Sequence, residues 1–416
     1  MNRAVGRVAD RAAATRQTWL ETIERHRHDR DAPGSAEYWS PRLDTASRDE
    51  LRAIQDDKIA AVAPFLYENS EFYRRRFDRL GLLPSDLRTV DDLIAKWPVV
   101  DKHEMAEDAA AHPPYGTYTA MSEAIWAARG WMMFSSSGTT GAPRVFRYSH
   151  IDRELWAWAN ARALQSMDFR NGDTVFMITG YGPHVWAWGV QYALAKMGLA
   201  TLPGGGMDAR ARANIVIRYQ PTILLCTPSY ALHLGRTVEA LGVEPRTTAV
   251  RTLFVAGEPG MSVAATRQRI QQLWGARLVE FYGCTEASPH VGGFSCPHSQ
   301  PADGPVSTHL LEDRAGLGDR RSAIAQAAGR RRARADRLHQ SQFGILAAAS
   351  FSGRRLCHFR PLALSVRPHP CAGDRFLCRA RRRPHQSARH QDVSRPDRAC
   401  RALDRRNRRR GSRSCS

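Results

Sequence analysis

The chain has 416 residues, 43% of them hydrophobic, and a formal net charge of +20. This length allows two or three domains with large cores, and the absence of any run of about 18 apolar residues argues against a transmembrane helix. Only three of the eight cysteines precede residue 315, without regular spacing, which argues against a disulfide framework. We therefore expect a soluble, cytoplasmic protein with no membrane partner.

The first 102 residues predict a helical region. Apolar residues recur at helical spacing after residue 50, and one face of that helix should point inwards. The inward-facing residues are expected to be Leu51, Ile54, Ile59, Val62, Phe65 and Leu66. The arginine cluster Arg74, Arg75 and Arg76 is predicted to be a solvated face rather than an anion site.

The stretch SSSGTTGAPR, residues 135–144, predicts a loop that binds phosphate. Its two glycines allow backbone amides to converge, its hydroxyls add donors, and Arg144 adds a permanent charge. The apolar run before it, WMMF, predicts a buried strand leading into the loop. A flexible linker is the alternative, and the missing GK[ST] ending argues against a P-loop NTPase.

Strands and helices alternate through residues 103–314. The runs TVFMITG, ATLPGG, PTILLCTPS, TLFVAGEPG and RLVEFYGCTE predict strands that end in turn residues, with apolar helical stretches between them. This alternation predicts an α/β fold with a largely parallel sheet, whose carboxyl ends carry the ligand site.

These motifs, in this order, resemble the adenylate-forming enzymes, and specifically the branch of the phenylacetate-CoA ligases. The segments that carry the resemblance are AEYWSPRLDTASRDELRAIQ, the phosphate loop, CTPSYAL, FVAGEPG and EFYGCTEAS, spread over roughly residues 36–314. The family pattern ends its loop in Lys, where this chain has Arg144. The resemblance implies the large N-terminal domain of that fold, with mostly parallel sheets and flanking helices.

The resemblance also implies the reaction and its site. An aromatic or arylacetic carboxylate would be activated by ATP with Mg²⁺ and transferred to coenzyme A, with Arg144, Thr285 and Glu286 as catalytic residues. Glu286 would hold the magnesium ion. The residues implied to bind the nucleotide are Ser135, Ser136, Ser137, Gly138, Thr139, Thr140, Gly141, Gly257, Glu258, Pro259, Tyr282, Gly283 and Cys284.

Two further sites are predicted less directly. Aromatic residues beside glycines suggest a pocket for an aryl acid, although these tryptophans would equally serve to pack a helix on the sheet. The residues assigned to this pocket are Tyr181, Gly182, Trp186, Gly204 and Gly205. By resemblance to relatives with zinc-like motifs, Cys296 and His309 would be half of a Zn²⁺ site; unligated polar residues are the alternative.

Residues 315–416 predict a disordered basic tail in place of the family's small C-terminal domain. All the excess charge lies there, in 26 Arg against six Asp with no Lys or Glu. With suitable synonymous codons, the frame one base downstream spells family-like segments such as CTNLNSESSPQLRFLVGD and ADDLINLRGIKMFPVQIE. We therefore expect a frameshift after about Arg314 and no evolved nucleic-acid partner.

The sequence leaves two functional alternatives open. The chain is expected to be impaired as a ligase, so an inactive ATP-binding fragment is one alternative. An adenylating enzyme that transfers its acyl group to a carrier protein or an amine is another. A homodimer is also left open, as is the identity of the acid.

Overall fold

A computed structural model describes residues 2–27, 38–98, 100, 102–135, 144–182, 185–258, 263–284, 288–297, 308–311, 313 and 355–359. Within these ranges, no helix is both long and apolar enough to cross a membrane. The predicted basic tail falls outside them, apart from one short strand described below.

Seven α-helices are described before the phosphate loop. They are α1 (Asn2–Arg25), α2 (Pro41–Asp44), α3 (Arg48–Asn69), α4 (Glu71–Leu80), α5 (Val90–Lys96), α6 (Lys102–Ala111) and α7 (Glu123–Arg129). Ser47 begins α3 by accepting a hydrogen bond from the Glu50 amide, and Ser70 both ends α3 and caps α4. All six residues predicted to face inwards from α3 are buried, which confirms the helical pattern.

The arginine cluster on α4 is only partly a solvated face: Arg75 is exposed as predicted, but the prediction was wrong for Arg76. Only 3% of the Arg76 side chain is exposed, and its guanidinium pairs with Glu104 and donates to the Pro98 carbonyl oxygen at 2.7 Å. Arg75 pairs with the buried carboxylate of Asp108. Arg75 and Arg76 tie α4 to α6, because α6 presents these two acids.

A separate two-stranded antiparallel sheet carries the ends of the phosphate loop. Its strands are β1 (Gly130–Ser135) and β2 (Val145–Ser149). The strand predicted before the loop is thus present, but it is buried only at Phe134, and Met133 is 48% exposed. Phe134 packs with Trp156 and Val185, which fixes the hairpin against the main domain.

In the described part of the chain, the main sheet has eight strands in the order β10-β9-β8-β7-β6-β5-β3-β4. The strands are β3 (Thr174–Met177), β4 (Ala200–Pro203), β5 (Ile223–Cys226), β6 (Thr252–Val255), β7 (Arg277–Cys284), β8 (Ser288–Phe294), β9 (Thr308–Leu310) and β10 (Arg355–Phe359). Strands β3 to β7 are parallel, as predicted, and β8 to β10 extend the sheet in antiparallel pairs.

Helices cover both faces of the parallel part. They are α8 (His150–Ser166), α9 (Val185–Lys196), α10 (Ala209–Tyr219), α11 (Pro228–Ala240) and α12 (Ala264–Trp274). Side chains alternate along each strand, so one face of the sheet packs with α8 and α9 and the other with α10, α11 and α12. Both faces are apolar, which explains why β5 is buried at all four residues.

Two ion-pair groups link distant parts of this fold. Asp44 on α2 accepts from Arg162 on α8 at 3.1 and 2.7 Å, and neither side chain is exposed. At the amino ends of the strands, Arg251 pairs with Asp173 and Asp168. The charges of the Arg251 group therefore lie away from the edge where the strands end.

Candidate functional site

The parallel strands bring the predicted binding segments to one edge of the sheet. The segment with Tyr181 follows β3, Gly204 follows β4, Gly257 follows β6, and β7 itself ends at Cys284. Because the carboxyl ends of parallel strands meet at the same edge, segments far apart in the sequence become neighbours. This edge is the candidate site.

The phosphate loop is described only at its two ends. Ser135 pairs with Val145 across the β1–β2 hairpin, so Arg144 lies beside the end of β1. The other loop residues assigned to the nucleotide, from Ser136 to Gly141, lie outside the described residues. The hairpin therefore fixes where the loop begins, at Ser135, and where it ends, at Arg144. The roles of the loop residues stay predictions.

Tyr181 is the best-anchored residue of the predicted acid pocket. Its hydroxyl donates to Gln191 Oε1 at 2.7 Å and lies 3.3 Å from Met177 Sδ. Its ring meets Trp188 edge-on at 5.1 Å, and the Trp188 indole donates to the Gly182 carbonyl oxygen at 3.4 Å. Burial raises the pKa of the Tyr181 phenol, which therefore stays protonated.

Trp186, the tryptophan assigned to the pocket, is partly buried against the same core as Tyr181, between the sheet and α8 and α9, and its role in binding an acid stays a prediction. Trp188 is the tryptophan that contacts Tyr181.

The loop after β4 closes on Tyr181 because it is made of glycine. A Cβ on Gly204 would lie 2.6 Å from the Phe176 ring and 2.9 Å from the Met177 carbonyl oxygen. A Cβ on Gly205 would lie 3.3 Å from Tyr181 Cδ2, so the backbone itself forms this wall. The loop thus lies next to Tyr181, and its role in binding an acid stays a prediction.

Arg212 at the start of α10 holds the same loop from the other side. Its Nε donates to the Gly204 carbonyl oxygen at 3.0 Å, and its guanidinium lies 5.0 Å from the centre of the Tyr230 ring. Arg212 could not be singled out in advance, because α10 contains several arginines of similar context.

The loop after β6 is fixed by a carboxylate. Gly257 has φ of +86°, a conformation that favours glycine, and the next residue is Glu258. Glu258 accepts from the Ser229 amide at 3.1 Å and from the Ser229 hydroxyl at 2.7 Å, so it caps the start of α11. Both carboxylate oxygens of Glu258 accept hydrogen bonds from Ser229, so the backbone of this loop, rather than the Glu258 side chain, is available to line a ligand. Pro259 lies outside the described residues.

Cys226, at the end of β5, is a buried thiol rather than a nucleophile. Burial, assisted by the nearby charge of Glu258, raises the pKa of the Cys226 thiol to about 12. A thiol with such a pKa remains protonated and unreactive at neutral pH.

The end of β7 carries the segment implied to hold adenine and magnesium. The backbone of Tyr282 pairs with Gly293, and Cys284 pairs with Ser288. Gly283 lies between them on the strand, whereas Thr285 and Glu286 lie outside the described residues. The strand direction thus carries the chain to the candidate edge at Cys284.

Glu280 on the same strand was missed by the sequence analysis. Burial raises the pKa of its carboxyl group to about 7, and the charge of Arg267 opposes this effect. The Glu280 backbone exchanges hydrogen bonds with Ser295, accepting from its amide at 2.8 Å and donating to its hydroxyl at 2.7 Å. A half-buried carboxyl group therefore lies two residues before Tyr282.

The predicted zinc ligands are both buried, on β9 and just after β8. His309 stacks near Phe294 at a ring distance of 5.5 Å, and Cys296 follows two residues after Phe294. In the ranges that the structure describes, no group of three potential metal ligands is found. The described residues thus do not form a complete zinc site, and Zn²⁺ binding stays a prediction.

Comparison with known proteins identifies relatives of this arrangement. A phenylacetate-coenzyme A ligase from Aromatoleum evansii is 31% identical over 264 residues, which covers 64% of this chain and 57% of that protein. One from Escherichia coli K12 is 30% identical over 265 residues, with the same coverage. The chain therefore spans less than two thirds of the length of these relatives.

A solved structure agrees with these sequence matches. An open conformation of 2-hydroxyisobutyryl-CoA ligase, in complex with 2-HIB-AMP and CoA, has a TM-score of 0.62 and 26% sequence identity, covering 69% of this chain and 60% of that one. The family model described as AMP-binding enzyme matches residues 87–313, which contain every strand from β1 to β9. With more than half of its length in that match, the chain belongs to the family of AMP-binding enzymes.

Proposed function

We propose that this chain derives from an acid–thiol ligase of the phenylacetate-CoA ligase type. Its reaction joins an aromatic or arylacetic carboxylate to coenzyme A with ATP as the energy source. The observation that carries the proposal is the meeting of the Tyr181 segment, the glycine loop after β4 and the Gly257 loop at one sheet edge. Family membership and the named relatives support it.

The reaction has two balanced steps. In the first, a carboxylate oxygen attacks the α-phosphorus of ATP, which forms an acyl-adenylate and releases pyrophosphate. In the second, the thiol of coenzyme A attacks the acyl carbon, loses its proton, and releases AMP. Both steps need phosphate charge to be neutralised and two reactants to be held in line.

The roles proposed for individual residues follow this chemistry. The loop that ends at Arg144 would hold the β- and γ-phosphates, and Thr285 would contact the α-phosphate. Tyr282 would stack on adenine opposite the backbone of Gly257. Glu286 would bind Mg²⁺, because hard cations prefer carboxylate ligands, and the ion would supply positive charge that neutralises the phosphates.

The acid would bind between the Tyr181 segment and the loop after β4. Tyr181 offers a ring whose position is fixed by its neighbours, and Gly205 allows close approach of the loop. An aryl group packs well against such a ring. The described neighbours that fix Tyr181 are uncharged, which supports an apolar acyl group over a second carboxylate.

The activity of this particular chain depends on its last hundred residues. We propose that a frameshift after about Arg314 replaced the family's small C-terminal domain, and the end of the family match at residue 313 supports this position. The predicted domains are then 1–102, 103–314 and a basic tail at 315–416. On this account the chain is impaired, and an ATP-binding fragment is the second candidate, supported by its 57% coverage of the relatives.

Location and assembly belong to the same proposal. Small-molecule substrates such as ATP, coenzyme A and a carboxylic acid fit a cytoplasmic enzyme, and we propose that location. The sequence leaves a homodimer open, and we include it in the proposal. Sedimentation of the chain in solution would measure its molecular mass and so test this assembly.

Two assays test the proposed function. Phenylacetate-dependent exchange of labelled pyrophosphate into ATP reports the first step, and thioester formation with coenzyme A reports the second. We expect exchange to appear, or to rise strongly, when a single-base edit restores the frame after residue 314. Exchange without thioester, with acyl transfer to an added amine or carrier protein, would favour the alternative adenylating enzyme.

A further inference from the structure

Tyr181 is held by two residues of α9, and the loop after β4 comes close to its ring. Gln191 Oε1 accepts its hydroxyl proton at 2.7 Å, the Trp188 ring meets its ring at 5.1 Å with planes 69° apart, and a Cβ added to Gly205 would lie 3.3 Å from Cδ2. A half-buried tyrosine without such contacts would choose among several side-chain orientations. These contacts therefore select one orientation of the ring.

Two of the contacts come from one face of α9. Trp188 and Gln191 are three residues apart, a spacing that places both on the same side of a helix. Trp188 also donates to the Gly182 carbonyl oxygen, so this face of α9 contacts both the Tyr181 side chain and the backbone of the following residue. The hydrogen bond to Gln191 is the stronger directional restraint on the hydroxyl, because a thioether sulfur such as Met177 Sδ is a weak acceptor.

We propose that Gln191 is a positioning residue that determines the selectivity for aryl acids, an inference that rests on the proposed function. By holding the Tyr181 hydroxyl on α9, Gln191 keeps the ring against Gly205 as one wall of the acid pocket. Without Gln191 Oε1, the half-buried Tyr181 hydroxyl must hydrogen-bond to another group or to water. The Tyr181 ring then moves and no longer forms that wall of the pocket. Affinity for an aryl group falls, whereas a short acid that does not reach the ring is unaffected.

The size of the effect follows from the loss of one neutral hydrogen bond. Such a bond contributes about 1 kcal/mol, which corresponds to about fivefold in affinity. We therefore expect Gln191→Leu to weaken phenylacetate binding about fivefold and to leave butyrate and ATP unchanged. Gln191→Glu keeps an acceptor at the same place and should bind phenylacetate like the parent chain.

The experiment uses isothermal titration of the full chain with ATP alone, and with phenylacetate or butyrate in the presence of a non-hydrolysable ATP analogue. Tyr181→Phe removes the other half of the hydrogen bond and serves if the leucine variant does not fold. The double variant should be no weaker than either single variant, because both remove the same interaction. Gln271→Leu, a half-buried glutamine on α12, is the matched control and should change nothing.

Each outcome decides the inference. Selective loss of phenylacetate affinity, restored by glutamate and not additive with Tyr181→Phe, supports it. Unchanged phenylacetate binding in Gln191→Leu, or equal weakening of all three ligands, overturns it while leaving the proposed function intact. A parent chain that binds ATP and none of the acids overturns the inference together with the proposed acid site.

Discussion

Glu280 offers a test of the site edge that does not depend on activity. Its side chain lies on the face of the sheet that packs with α12, and its carboxyl group has a pKa raised to about 7 by burial. The perturbation is Glu280→Gln, which removes the ionisation and keeps the size of the side chain. The backbone hydrogen bonds to Ser295 do not involve the carboxyl group and remain.

The magnitude and sign follow from the two pKa values. The difference between about 7 in the folded chain and the ordinary value of 4.5 corresponds to about 3 kcal/mol, at about 1.36 kcal/mol per pH unit. Because the folded state binds this proton more tightly, the free energy of unfolding falls as the pH rises from 4.5 to 7 and is constant above that. The Glu280→Gln variant escapes this loss, since its amide has no proton to release in this range.

Urea unfolding at pH 4 and pH 8 measures the effect. We expect Glu280→Gln to raise the free energy of unfolding by up to about 3 kcal/mol at pH 8 and by nearly nothing at pH 4. The exposed Glu239 on α11 is the control, and Glu239→Gln should show no such pH dependence. An equal effect of Glu280→Gln at both pH values would refute the assignment of a destabilised buried carboxylate.

Two further substitutions test the fold around the site. Gly204→Ala places a Cβ against the Phe176 ring, so we expect this variant to fold but to lose phenylacetate binding in titration. The control is Gly180→Ala, whose Cβ meets nothing within 4 Å and which should bind phenylacetate normally. Equal binding by both variants would contradict the close packing at Gly204. Asp44→Ala leaves the buried charge of Arg162 uncompensated and should lower the free energy of unfolding, measured in urea, by about 3–5 kcal/mol. A loss under about 1 kcal/mol would mean that the pair is not buried.

The parallel core was predictable because its residues repeat a simple physical pattern. Strands such as β5 are short apolar runs bounded by turn residues, and alternation with helices leaves few topologies. Strand β8 was not predicted, since its sequence SPHVGGF contains proline and two glycines, which are poor strand formers. Its pairing with β7 and β9 is a tertiary effect that local sequence does not encode.

The candidate site was predictable at its backbone positions and less so at its side chains. Gly204 and Gly205 were named as a loop beside the predicted acid pocket, and Gly257 was named by resemblance. Close packing at Gly204 and Gly205 and the φ of +86° at Gly257 are the physical reasons for glycine at these positions. Gln191 and Arg212 escaped notice because each is an ordinary helix residue whose role appears only when a partner from another segment lies beside it. Arg76 was misjudged for the same reason, because its acidic partner is 28 residues away.

The most direct test of the account is phenylacetate-dependent pyrophosphate exchange in the chain with its frame restored after residue 314, compared with the same chain carrying Glu286→Gln. The account predicts exchange in the restored chain, strong loss of it in the glutamine variant, and little or none in the present chain. A restored chain that is folded and binds ATP, yet shows no exchange with any aryl acid, would contradict it.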